Sequence, residues 1–366
     1  MSTLKVRNPR TGDFDYEVEA ASPEDVASTA AGLRQYQLDW AADIALRIDT
    51  LLAWADAMAS AREPMAVALT ADTGRRSVSY LEADGMVRRV RYWAERAPVL
   101  LADSDEARSE TATNVSYRLQ GVPVGLVGVI SPWNFPLTLS LVDAIPALFA
   151  GCAVLLKPSE VTPRFAAVLQ QTIDAVPALA GVFKIVIGGG DTGTALVDRV
   201  DMICFTGSVA TGRKVAVQAA QNFIPACLEL GGKDPAIVLA DADLDRAADA
   251  ILRSAAGSNG QACMSVERVF AQRDVFDALV EKLASRAAAL EFNAPDIHCG
   301  QLPPFIFGTQ ADKVAEQLQD ALDRGATLHC GGPPEQIQGG GWWQRPAVLT
   351  NISTDMQLMR EETFGP

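Results

Sequence analysis

A chain of 366 residues, 49% hydrophobic and 21% charged, is ordinary globular material with room for two domains. Its 45 acidic residues outnumber 31 basic ones, and a formal charge of −14 argues against nucleic acid or an anionic membrane as partner. No positively charged start leads into an apolar core, and the most apolar window, Leu137 to Leu156, is broken by Asp143 and Pro146; a cytoplasmic location is expected.

Six scattered cysteines fit a reducing compartment better than a disulfide framework. The two histidines sit in His298-Cys299 and His329-Cys330, which match no common zinc spacing, so no metal is expected.

In chain order, the first hundred residues read as helices. Ser22-Pro23-Glu24-Asp25 supplies a cap, a first-turn proline and two acids at the positive end of a helix dipole. Residues 40 to 62 and 77 to 97 have helical spacing of apolar positions, and the polar stretch from 103 to 118 reads as a loop or an edge hairpin.

From Val122 onward short apolar strands alternate with helical patterns, the sign of an α/β protein with a parallel sheet. The run from Val122 to Ile130 ends at Pro132-Trp133-Asn134-Phe135-Pro136, where two prolines fix the loop and hold the Asn134 amide as a candidate oxyanion donor. The strand Ala153 to Leu156 leads through Lys157-Pro158-Ser159-Glu160 to a helix started by Thr162 and Pro163, with Phe165, Val168, Leu169, Ile173 and Val176 on its buried face. Val182 to Ile187 leads to Gly188-Gly189-Gly190-Asp191-Thr192-Gly193. Met202 to Phe205 leads to Thr206-Gly207-Ser208 and a helix containing Gly212.

Such turns lie at the carboxyl ends of parallel strands, and a helix opened by Thr206-Gly207-Ser208 suits a pyrophosphate. Glycine-rich turns are common in α/β proteins, and Gly-x-Gly-x-x-Gly is not cleanly present. The residues alone therefore leave nucleotide binding open.

Glu229 closes the run Phe223 to Leu228 ahead of Gly231-Gly232, a place that serves acid-base work or an ordinary solvated strand end. A second α/β unit follows: strand 235–239, helix 243–256, strand 266–271, then helices 274–290 and 310–323, with Gly325 where a C-cap belongs. Cys152, Cys204 and Cys227 lie in apolar or strand-like runs and read as buried, inert thiols. Cys263 instead follows Gly257-Ser258-Asn259-Gly260 on a loop between helix and strand, where a small molecule can reach it. It is the candidate nucleophile, and a half-buried structural thiol is the competing reading of that loop.

The stretches around Asn134, Glu229 and Cys263 occur together, in this order, with Lys157-Pro158-Ser159-Glu160, Phe205-Thr206-Gly207-Ser208, Gly212 and Glu361-Glu362-Thr363-Phe364-Gly365-Pro366. From about residue 5 to the last residue the chain resembles the non-acylating, NAD(P)-dependent aldehyde dehydrogenase superfamily. The resemblance implies two Rossmann-like open parallel-sheet domains. Residues 1–228 would form a cofactor-binding domain, with 103–121 as part of an oligomerisation arm. Residues 229–366 would form an incomplete catalytic domain, because family members continue beyond the Gly365-Pro366 motif.

It further implies Cys263 as nucleophile, Glu229 as general base and Asn134 as oxyanion donor. The dinucleotide would meet Trp133, Lys157, Ser159, Glu160, Gly189, Gly193, Gly207, Ser208, Leu230, Glu362 and Phe364. A carboxylate at Glu160 accepts from a ribose 2′-hydroxyl and repels a 2′-phosphate, which favours NAD, with NADP possible. The implied reaction oxidises an aldehyde to a carboxylic acid through a thiohemiacetal and a thioester on Cys263. Glu229 speaks against transfer to coenzyme A. Met264 to Arg268 is similar to branches acting on succinic semialdehyde or aromatic aldehydes. The implied partners are a small-molecule aldehyde and a homo-oligomer. A truncated, catalytically silent nucleotide-binding relative, or an incomplete fragment, is the alternative.

Overall fold

The computed structural model describes residues 2–294, 296–337 and 339–366. The chain opens with two strands, β1 (Thr3–Arg7) and β2 (Phe14–Glu19), which pair into a small sheet. Helix throughout the first hundred residues is therefore corrected: Phe14-Asp15-Tyr16-Glu17-Val18-Glu19 alternates with period two, the period of a strand. Helix α1 (Pro23–Ala42) starts at the expected cap, where Ser22 Oγ accepts from Asp25 N at 3.2 Å and Asp25 Oδ2 accepts from Ser22 N at 2.9 Å. It stops at Asp43, whose carboxylate caps α2 (Ile44–Ser60). Two further helices, α3 (Arg62–Thr73) and α4 (Arg76–Leu100), precede the short antiparallel pair β3 (Ala107–Arg108) and β4 (Ser116–Tyr117), the expected edge hairpin.

A doubly wound sheet follows. Its elements are β5 (Leu126–Ile130), α5 (Pro136–Phe149), β6 (Ala153–Lys157), α6 (Arg164–Asp174), α7 (Pro177–Ala180), β7 (Phe183–Ile185), α8 (Gly190–Val197), β8 (Met202–Thr206), α9 (Val209–Gln221) and β9 (Ala226–Glu229). The five strands are parallel in the order β7-β6-β5-β8-β9. Every residue of β5 and β6 is buried, which their apolar sequences up to Lys157 at the end of β6 allow and a sheet covered on both faces requires. Val122 is exposed, and the strand begins only at Leu126, after Gly125 turns the chain at φ 103°. In the core Trp54 packs edge-on to Phe183 and donates its Nε1 hydrogen to Thr172 Oγ1 at 3.0 Å. Cys152 and Cys204 are buried as expected; Cys227 is exposed, because it lies on β9, the last strand of the sheet, where burial is partial at most.

The remaining elements are β10 (Asp234–Val238), α10 (Leu244–Ala256), β11 (Val266–Ala271), α11 (Arg273–Ala288), α12 (Gly308–Asp323), β12 (Thr327–Cys330), β13 (Glu335–Ile337), β14 (Gly341–Trp343) and β15 (Val348–Thr350). Strand β11 returns parallel to β10 across α10, while β12 pairs with β15 and β13 with β14 in antiparallel fashion. Their core joins Val238, Ala248, Ile251, Val275, Leu279 and Leu283. Gly325, at φ 93°, follows Arg324, the C-cap of α12, so it stands one position past the cap that the sequence suggested for it. An apolar cavity of about 430 Å³ is lined by Val266, Phe270, Leu279, Val348 and Pro366, among others.

By its contacts the chain divides into two units. The first comprises Met1–Leu4, Val18–Ala66 and Tyr80–Glu229; the second comprises Lys5–Glu17, Val67–Ser79 and Leu230–Pro366. Among the described residues no helix is long and apolar enough to cross a membrane.

Candidate functional site

In the first unit the candidates collect along one edge of the sheet, because each follows the carboxyl end of a parallel strand. Trp133 and Asn134 follow β5, Ser159 and Glu160 follow β6, Gly189 and Gly193 follow β7, Gly207 and Ser208 follow β8, and Glu229 ends β9. Register ties the neighbours together: Ile130 pairs with both Lys157 and Phe205, and Thr206 pairs with Glu229.

Asn134 is buried in the turn that leads into α5, where Pro136 fixes the first helical position. Thr162 braces that turn by donating from Oγ1 to Trp133 O at 3.2 Å. Ser159 is buried, and its Oγ accepts from Val161 N at 3.2 Å. Lys157 has its ammonium group in the sheet edge, donating to Gly188 O at 2.6 Å and Pro158 O at 3.2 Å and pairing with Glu160 at 3.3 Å. Burial pushes the Lys157 amine down from its ordinary value, with Glu160 opposing that shift. Glu160 keeps much of its carboxylate exposed, while Gly193 brings α8 within van der Waals reach of the Lys157 stem. At the next turn Gly207 N donates to Glu229 O at 3.0 Å, and Ser208 Oγ accepts from Thr211 N at 3.3 Å as the N-cap of α9. Glu229 itself is exposed.

In the second unit Cys263 is half-buried on the loop between α10 and β11. Ser258 and Asn259 take left-handed φ values of 56° and 59°, and Gly260 follows at 69°. Glycine is required there, since a Cβ at Gly260 would overlap the Gly365 carbonyl. Gln261, fully buried, pins the loop by donating from Nε2 to Ser258 O at 2.9 Å and to Pro304 O at 3.2 Å, and by accepting from Ile306 N at 2.9 Å. On the other side Ser265 Oγ donates to Ser254 O at 3.0 Å and Val266 N donates to Ser254 Oγ at 3.1 Å.

Leu230 leads into Gly231-Gly232, which lies against both the cysteine loop and the last six residues. A Cβ on Gly232 would come 3.1 Å from Cys263 O, and one on Gly231 would come 2.5 Å from Glu362 Oε2. The bare backbone lets the Glu362 carboxylate settle there, where Oε1 accepts from Gly232 N at 3.3 Å. Burial raises the Glu362 carboxyl above its ordinary value, and the Gly232 N–H pulls the other way. Phe364 holds a left-handed φ of 53°.

Two charged residues beside these candidates went unused in the sequence reading. Lys233 and Glu267 form an ion pair with side chains 10% and 6% exposed, and Thr363 N and Phe364 N both donate to Glu267. The signal was present as opposite charges inside otherwise strand-like segments, Lys233-Asp234-Pro235-Ala236 and Val266-Glu267-Arg268-Val269. Among the described residues no group of three His, Cys, Asp or Glu side chains is placed to hold a metal ion.

An open parallel sheet with glycine turns and helix starts on its carboxyl edge, followed by a smaller unit with a half-buried thiol on a loop, defines an α/β protein of the dinucleotide-enzyme type. The model of the aldehyde dehydrogenase family matches residues 1–366, and the chain belongs to that family. Its fold superposes on the PutA structure from Anabaena variabilis with a TM-score of 0.96 at 46% identity, covering 100% of this chain and 78% of that one. It is 34% identical over 371 residues to succinate-semialdehyde dehydrogenase [NADP(+)] 1 of Mycobacterium ulcerans, covering 99% of this chain and 80% of that protein. It is also 40% identical over 252 residues to 2-hydroxymuconic semialdehyde dehydrogenase of Pseudomonas putida, covering 67% and 52% of the respective chains.

Proposed function

We propose that this chain oxidises an aldehyde, with a semialdehyde as the favoured substrate class, to the carboxylic acid. The observation that carries the proposal is the placement of Cys263: a half-buried thiol on a loop pinned from both sides, its backbone against Gly232, three residues past Glu229. A semialdehyde is favoured because two relatives similar over much of this chain are named for such substrates.

The residues present fit a nicotinamide dinucleotide. A Cβ on Gly189 or Gly190 would meet no atom within 4 Å, and Ser208 at the start of α9 is exposed, so both helix starts face open space. Gly207 and Ser208 would hold the pyrophosphate, Lys157, Ser159 and Glu160 the adenine ribose, and Gly189 and Gly193 the adenine side. Trp133, Leu230, Glu362 and Phe364 would line the nicotinamide end. When bound, the dinucleotide supplies a hydride acceptor. Glu160 disfavours a 2′-phosphate by charge, but its ion pair with Lys157 tempers that effect, so NADP remains within the proposal beside NAD.

The sulfur of Cys263 forms a bond to the aldehyde carbon while the carbonyl π pair moves onto oxygen. A free thiol near pKa 8.5 is only a few per cent ionised at neutral pH, so its proton must pass to a base, water or the Glu229 carboxylate, before or during attack. Asn134 and the Cys263 backbone N–H stabilise the oxyanion. When the oxygen pair folds back, hydride leaves carbon and a thioester stands on Cys263. Glu229 takes a proton from water, the hydroxide adds, and the carbon–sulfur bond breaks to release acid and thiolate.

Separate Cys263→Ala and Glu229→Gln variants test this reading. The first should abolish formation of reduced dinucleotide. The second should give a single burst and a mass increase on the protein equal to the acyl group; full turnover in both refutes the assignment.

A further inference from the structure

We infer that Glu267 is a positioning residue, holding Glu362-Thr363-Phe364 in the turn that presents Glu362 to the dinucleotide and Gly365 to the cysteine loop. The inference rests on the dehydrogenase reading above. Its basis is a carboxylate that receives three donors inside the second unit. Thr363 N lies 3.0 Å and Phe364 N 2.9 Å from its oxygens, and the Lys233 ammonium pairs with it as well.

Lys233 closes the ring by donating to Thr363 Oγ1 at 2.8 Å, while its own carbonyl accepts from Arg268 Nε at 3.0 Å. Two glutamines of α12 secure the segment from the opposite side. Gln310 Nε2 donates to Thr363 O at 2.6 Å, Gln317 Nε2 donates to Glu362 O at 3.2 Å, and Gln317 Oε1 accepts from Thr363 Oγ1 at 2.8 Å.

A desolvated ion pair is a poor source of stability unless its remaining valences are satisfied, and its usual justification is to fix one geometry among several. Here the fixed geometry is an uncommon one. Phe364 sits at φ 53°, a conformation a bulky side chain holds only when its surroundings impose it. The two N–H groups that Glu267 captures flank that turn. Beyond it Gly365 runs against Gly260, three residues before Cys263, and before it Glu362 lies on Gly231-Gly232. Releasing Glu267 frees both contacts at once.

The test compares the full 366-residue chain with Glu267→Gln and Glu267→Asp. The amide of glutamine keeps the size of the side chain but loses the charge opposite Lys233 and turns one acceptor into a donor. Aspartate keeps the charge on a shorter arm. In Glu267→Gln, hydrogen exchange at residues 363 and 364 should accelerate at least about tenfold with α10 unchanged. The Kd for NAD+ and for NADP+, measured by calorimetry, should rise by about tenfold or more, while kcat falls less than KM rises. Glu267→Asp should recover part of both.

Unaltered exchange in Glu267→Gln overturns the anchor. Faster exchange with unchanged dinucleotide affinity overturns the positioning role. Wild-type protein that binds neither dinucleotide overturns the dehydrogenase reading and the dinucleotide part of this inference with it, and the exchange data then report on the anchor alone.

Discussion

Glu362 shows how one side chain joins site geometry to stability. Its carboxyl titrates above its ordinary value because the group is buried against Gly231-Gly232. The folded state therefore binds this proton more tightly than the unfolded state does. Stability from this group is fully present below the unfolded value of 4.5 and is lost as pH rises through the higher folded value. Glu362→Gln removes that loss. Urea midpoints measured from pH 4 to pH 7 should show the variant gaining on wild type as pH rises, and a constant difference across the range would contradict the burial argument. Cys263 and Glu229 stood out as candidates because a thiol on a Gly-Ser-Asn-Gly loop and a carboxylate closing an apolar run ahead of two glycines are both reactive types in unusual settings. Glu267 did not, since a glutamate in a strand is usually a solvated one and its partners, Lys233, Thr363 and Phe364, lie 34 or more positions away in the chain.

Among the elements, the link from α10 to β11 matters most to the proposed nucleophile. Ser254, in the last turn of α10, accepts Val266 N and receives Ser265 Oγ on its carbonyl, so helix end and strand start are tied across the loop that carries Cys263. Ser254→Ala should cost about 1 kcal/mol, the usual net worth of such a bond, read from the urea midpoint. Alkylation of Cys263 by iodoacetamide should also change rate, because the strand end of its loop is freed; an unchanged rate would mean that Gln261 alone fixes the thiol. The start of α1 was readable from the cap at Ser22, whereas the break at Asp43, which caps α2, fell inside the helical stretch expected over residues 40 to 62. The β1–β2 pair was also missed, because six alternating residues were absorbed into an expectation of helix.

For the whole molecule the governing quantities are a formal charge of −14 and the apolar side chains left on the surface. Phe223 is 97% and Ile237 73% exposed, and Phe270 on β11 is half exposed. The β10–β11 sheet has two strands among the described residues, so both are edge strands. Like charge opposes self-association at low salt, and the Debye length shrinks to about 10 Å near 0.1 M. Sedimentation velocity should therefore show self-association that increases with salt and that Ile237→Lys reduces. Association unaffected by salt would show that the charge does not control it.

By itself the sequence determined the class of fold and the family, and it supplied the residue types proposed to carry the chemistry, since apolar periodicity and short motifs are local properties of the chain. It also specified the strand-to-helix turns whose carboxyl ends gather Asn134, Lys157, Gly207 and Glu229 on one sheet edge. Only the tertiary structure decided what surrounds those groups. Lys157 turning to Gly188, Glu362 settling on Gly231-Gly232 and Glu267 capturing the 363–364 turn join residues up to 131 positions apart. Such contacts depend on packing between segments distant in the chain, and no local pattern encodes them.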